Sequence, residues 1–184
     1  MPLRKLPHRE LERLIKDHLR IDEDPGTRLL MERLRTARQR GYLTAAELEA
    51  VCRWKSPRAI HLIRSNEPRR VRALTGRALR ARGERQRLDS LTELRGVSVP
   101  MASALLTLLY PRRYGVLDIR VWQLLHEVGA VSGRPKGAGF GFDHWAQFLA
   151  IVREFAAGLR VGARHVELAL FRGHQAYQRG RLYD

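Results

Sequence analysis

Leu94–Val121 reads LRGVSVPMASALLTLLYPRRYGVLDIRV, and its pattern is helical. Gly96 permits a tight backbone path, Ser98 stands where a helix N-cap belongs, and Pro100 falls in the first turn of the apolar run that follows. Pro100 to Tyr110 predicts a strongly apolar helix. A short polar break then leads to Asp118, directly before a second amphipathic run, IRVWQLLHEVG. Because ERQRLDSLTEL upstream also has helical spacing, a hairpin of two helices is expected over about residues 85–110. A helix carrying the aspartate is expected over about 117–128.

The same periodicity extends in both directions, and strand alternation is almost absent. Leu11, Leu14, Ile15, His18 and Leu19 form one stripe, and Leu29, Leu30, Leu34 and Ala37 form another that Gly41 ends. Thr44 with Glu47 spells a capping box before TAAELEAVCRW. NEPRRVRALTGRALRAR, HWAQFLAIVREFAAGL and ARHVELALFRGHQAYQRG read as further helices, and VSGRPKGAGFGFDH is the one clear long loop. The expectation is an all-α chain of about ten helices forming one domain over 1–184. Its two lobes flank a cleft, with the first and last helices packed together.

Charge restricts the function classes. The 184 residues carry 35 Lys and Arg against 19 Asp and Glu, a net charge of +16. Only Lys5, Lys16, Lys55 and Lys136 are lysines, and the other 31 bases are arginines, whose planar fork suits phosphate. A polyanionic partner follows, most simply DNA. The single cysteine, Cys52, excludes an internal disulfide and a four-cysteine zinc or iron–sulfur site. No apolar run is long enough for a membrane span, and MPLRKLPHRELERL lacks a signal core. The protein is expected in the cytoplasm as a monomer, nucleoid-associated if the source is a bacterium.

The opening stretch also has a chemical reading. The first N–H groups of a helix lack intrahelical acceptors and can grip a phosphate, which fixes position without reading sequence. Arg95, Gly96, Val97, Ser98 and Val99 are therefore candidate DNA contacts. Asp118 has two readings that can hold together. It caps the helix that follows, or it is the working acid of a site that the turn holds against a partner.

On these residues the chain resembles the helix-hairpin-helix DNA glycosylase superfamily. LRGVSVPMASALL is similar to that family's hairpin and second helix, and YGVLDIRVWQLL to its aspartate-bearing segment. The resemblance runs from about Leu88 to Val121 and puts Asp118 on the catalytic aspartate. In members that also cut the strand a lysine occupies the position of Pro100 here, 118 − 100 = 18 residues before Asp118. Two departures stand out: Ser98 replaces the second glycine of the turn, and Pro100 cannot form a Schiff base. The resemblance implies a monofunctional base-excision repair enzyme, a hydrolase acting on damaged or mismatched DNA. It also implies a structural monovalent cation held by backbone carbonyls of the hairpin. No other cofactor, no iron–sulfur cluster and no catalytic metal is expected.

Base flipping calls for aromatic surfaces, and the candidates are Trp54, Trp122, Trp145 and Phe142, each equally readable as core. Lys55 and Arg58 in WKSPR bracket a helix start and are read either as solvated surface or as phosphate contacts, Lys55 also as a substitute lyase amine. His126, His144, His165 and His174 show no metal-ligand spacing, while Asp143 and His144 could line a cleft. Two other functions compete: a helix-hairpin-helix DNA-binding module without catalysis, and a helical protein that binds RNA or an acidic protein.

Overall fold

Local signals set most helix ends in the computed structural model, which is described from His8 to Tyr177. The readings of residues 1–7 and 178–180 lie outside the described residues. In order, the elements are α1 (His8–His18), α2 (Pro25–Arg33), α3 (Arg35–Arg40), α4 (Ala45–Lys55), a 3-10 turn (Pro57–Ala59) and α5 (Ile60–Arg64). There follow α6 (Pro68–Arg80), α7 (Glu84–Thr92), α8 (Val99–Leu109), α9 (Ile119–Glu127), α10 (Phe142–Leu159) and α11 (Ala163–Tyr177). No strand occurs among the described residues, so the class is all-α. Thr44 and Glu47 form the reciprocal cap of α4, and Gly41 closes α3 at φ +82°, a conformation that costs glycine little. The expected stripe over residues 29–37 is shared by two helices, α2 and α3, which meet at Leu34; Leu34 and Ala37 are buried, whereas Leu29 is 50% exposed.

The chain groups into two compact units, residues 22–110 and the combination of 1–21 with 111–184. In the first, every residue of α8 from Met101 to Leu109 is buried, as expected of a helix that is apolar on all sides. Its neighbours include α4, whose buried residues are Leu48, Val51 and Cys52, and α7, which buries Leu88 and Leu91. Buried Thr75 ties α6 to the loop before α4: its Oγ1 accepts the Leu43 N–H at 2.9 Å and donates to the Val71 carbonyl at 2.7 Å.

In the second unit α11 is central, packing on α1, α9 and α10. Gly173 makes the α1 contact possible, since a Cβ there would lie 2.7 Å from Leu14 Cδ2. Trp145 and Phe148 of α10 are fully buried, and Tyr114 stacks on Trp145 with centroids 6.0 Å apart. Trp122 of α9 is fully buried too.

Candidate functional site

The turn between α7 and α8 supplies the first group of candidates. Gly96 adopts φ +81°, and a Cβ on it would stand 2.9 Å from Leu62 Cβ and 3.2 Å from the Ala59 carbonyl. Both the backbone sign and the close approach to α5 therefore require glycine. Ser98 caps α8 by accepting the Met101 N–H at 3.5 Å, a long and weak contact. Pro100 has no N–H, so the Val99 N–H is the first-turn donor left without an acceptor in the helix. Arg95 and Ser98 are exposed, Gly96 and Val99 half-exposed, and Val97 is buried. Val97 keeps only its carbonyl for a partner, since its side chain is buried and its N–H is bonded to the Leu94 carbonyl.

One residue that braces this turn is Asn66. Its side chain is buried, accepts the Arg95 N–H at 2.9 Å and donates to the Arg95 carbonyl at 2.9 Å, with further donations to Leu62 and Ile63 carbonyls. A single amide thus holds both polar groups of Arg95 and leaves its guanidinium outward. The Leu94 carbonyl accepts the Val97 N–H, so a monovalent cation at this turn would use second lone pairs on Leu94 and Arg95. Among the described residues no three acidic, histidine or cysteine side chains gather as a metal site.

Asp118 is the N-cap of α9, with Oδ1 accepting the Arg120 N–H at 2.9 Å, and it is half-exposed. The approach to it is strapped onto α11. The Arg164 N–H reaches the Pro111 carbonyl at 3.0 Å and the Ala163 N–H the Arg112 carbonyl at 3.2 Å. Gly115 presses against Glu167, where a Cβ would fall 2.7 Å from Glu167 Cβ. The Val116 N–H bonds to the Glu167 carboxyl, which is also paired with Arg164. Both members of that pair are buried, at 3% and 7% exposure. Burial pushes the Glu167 carboxyl up, while Arg164 and the Val116 N–H pull the other way and the nearby charge of Asp118 adds to the rise. His174, also buried, lies within reach of the charges on Glu127, Arg120 and Asp118; burial lowers its pKa. Asp118 therefore lies close enough for its charge to act on two buried groups, Glu167 and His174.

The aromatic candidates separate. Trp122 and Trp145 are fully buried and present no ring face to a base; Trp122 instead donates its Nε1–H to the Gly133 and Arg134 carbonyls at 3.2 and 2.9 Å. Trp54 is half-buried and bonded to Thr27 Oγ1 at 2.8 Å. Phe142 is half-buried, edge-on to Trp145 at 6.1 Å. Lys55 ends α4, half-exposed, and Arg58 is exposed in the 3-10 turn. His144 caps α10 by accepting the Gly141 N–H at 3.1 Å, and Asp143 beside it is exposed. Trp54, Lys55, Arg58 and the Gly96 turn belong to the unit of residues 22–110; Asp118, Trp122, Phe142 and Trp145 belong to the other. Asn66, Gly115, Arg164 and Glu167 are not among the candidates read from sequence. The i,i+3 spacing of Arg164 and Glu167 was the only visible signal, and it normally marks a surface pair.

No family model, no curated protein and no solved structure matches this chain. No described helix is long and apolar enough to cross a membrane.

Proposed function

We propose that this chain is a monofunctional, monomeric DNA base-excision glycosylase acting in the cytoplasm. The Gly96 turn holds a backbone phosphate with its N–H groups and Arg95, and a flipped base is released from a sugar facing Asp118. The C1′–N bond breaks with its electron pair going to the base. Water supplies the oxygen that replaces it, and the Asp118 carboxylate stabilises the cationic sugar and receives the water's proton.

The observation that carries this reading is the setting of Asp118. A helix cap needs no buried ion pair behind it, and burying Arg164 and Glu167 costs desolvation energy that a surface pair avoids. Supporting it are the resemblance around Leu88–Val121 and the charge surplus. Pro100 leaves no amine for strand cleavage at that position.

A non-catalytic DNA-binding module is the second reading, favoured by the bond from the Arg120 N–H to Asp118. Asp118→Asn separates the two, because asparagine caps a helix as well as aspartate but carries no charge. The assay uses duplexes bearing uracil, alkylated purines, 8-oxoguanine or mismatched adenine. Abasic product from wild type, with Asp118→Asn losing it by about 100-fold or more while still binding duplex, supports the glycosylase. Duplex binding without product from any substrate supports the module. Absence of duplex affinity at low salt overturns both.

A further inference from the structure

The loop of residues 131–141, part of the one clear long loop in the sequence, is held at several points. Trp122 Nε1 forks to the Gly133 and Arg134 carbonyls, and Gln123 Nε2 donates to the Lys136 carbonyl at 3.3 Å. Gln147 Oε1 accepts the Ser132 N–H at 3.0 Å, and the Gly137 N–H closes a turn on the Arg134 carbonyl at 2.8 Å. Phe140 and His144 pack edge-on to Trp122 at 5.2 and 5.5 Å. Gly137, at φ +68°, lies against Ile119: a Cβ there would come 3.0 Å from Ile119 Cγ2 and 3.2 Å from its carbonyl. Ile119 is the residue that follows Asp118 in the chain, so the loop abuts the start of the helix that Asp118 caps.

Two cations top this platform. Arg134 and Lys136 are exposed, and no acidic residue lies between Val128 and Phe142. Neither side chain has an ion pair among the described residues. That distinguishes them from Arg64 and Arg53, which grip Glu49 and hold its carboxyl down at about 2, and from Arg77, paired with Glu93. Arg134 also sits in the left-handed region at φ +52°, which a non-glycine residue adopts at a cost. Its guanidinium lies across Gly139, Nη1 being 3.4 Å from where a Cβ would stand.

We infer that Arg134 and Lys136 form a preset contact for DNA backbone phosphates beside Asp118, independent of the Gly96 turn. This rests on the DNA-binding reading above. Each cation that neutralises a phosphate displaces a counterion, so its removal flattens the dependence of affinity on salt. Arg134→Gly suits the left-handed backbone and Lys136→Ala is a surface change, so the double variant should fold as wild type does.

The test is a KCl titration of affinity for a short undamaged DNA duplex. In the double variant the slope of log affinity on log salt falls by about 2, so the loss over a fourfold rise in salt shrinks by about tenfold. Arg53→Ala, which removes an arginine already engaged by Glu49, leaves the slope unchanged. If wild type binds duplex and the double variant keeps the wild-type slope, this inference fails while the DNA-binding reading survives. If wild type shows no salt-dependent duplex binding, the reading itself fails. A slope change seen with single-stranded RNA but not with duplex DNA also overturns it.

Discussion

Two bends in this molecule solve the same local problem with different electrostatics. Leu94–Ser98 enters α8 and Gly115–Asp118 enters α9; each contains a glycine pressed against another helix and ends on a polar N-cap. The first is braced by Asn66, a neutral amide bonded in both directions to Arg95. The second is braced by Glu167, a buried carboxyl shared between Arg164 and the Val116 N–H. A neutral brace is insensitive to pH and suits a turn that presents N–H groups. An ionisable brace places charge behind Asp118, where charge is part of the proposed chemistry.

Breaking the charged brace should cost most. Glu167→Ala leaves Arg164 buried without its acid, and chemical denaturation is expected to show a loss of about 4 kcal/mol. At the other bend, Gly96→Ala adds left-handed strain and a clash with Leu62 Cβ, and about 3 kcal/mol should be lost. A result near zero would mean that the α5 contact yields easily. Asn66→Ala deprives the Arg95 carbonyl and N–H of partners and should destabilise by about 2 kcal/mol. If the turn holds DNA as proposed, the same variant should also weaken duplex binding, because the turn loses its shape. Ser98→Ala removes only a long cap contact, so about 0.5 kcal/mol is expected.

A pH series sharpens the contrast further. His174 has a folded pKa lowered by burial first, with Glu127 and Asp118 opposing and Arg120 reinforcing. The unfolded chain therefore takes up its proton first, near pH 6.5, and stability falls as pH drops below that value. The denaturation midpoint of wild type should decline between pH 7 and 5 more steeply than that of His174→Gln. Equal slopes would show that His174 is not what makes this unit pH-sensitive. Asn66→Ala should lower the midpoint by the same amount at every pH, since no titration is involved.

The Gly96 turn was largely legible in RGVSVP, because positive φ and N-capping depend on neighbours in the chain. Asn66 was not legible: its partner Arg95 is 29 positions away, and nothing local marks an asparagine as a brace. Trp122 and Trp145 were read as either base platforms or core, and full burial leaves neither a ring face to offer. The stripe Leu29–Ala37 suggested one helix, but two meet at Leu34, and of the stripe Leu34 and Ala37 are buried while Leu29 is exposed. Periodicity reports which residues favour a common face, not which of them meets a neighbour across from it.

By itself the sequence determined the helical class, the capping at Thr44, Ser98 and Asp118, and the glycine at the α7–α8 turn. These follow from backbone conformation and contacts within a few residues. Only the tertiary structure decided which polar side chains are buried: Asn66 behind the turn, Glu167 and Arg164 behind Asp118, and Trp122 under the basic loop. Desolvation depends on what packs across from a residue, and that is set by segments far away in the chain.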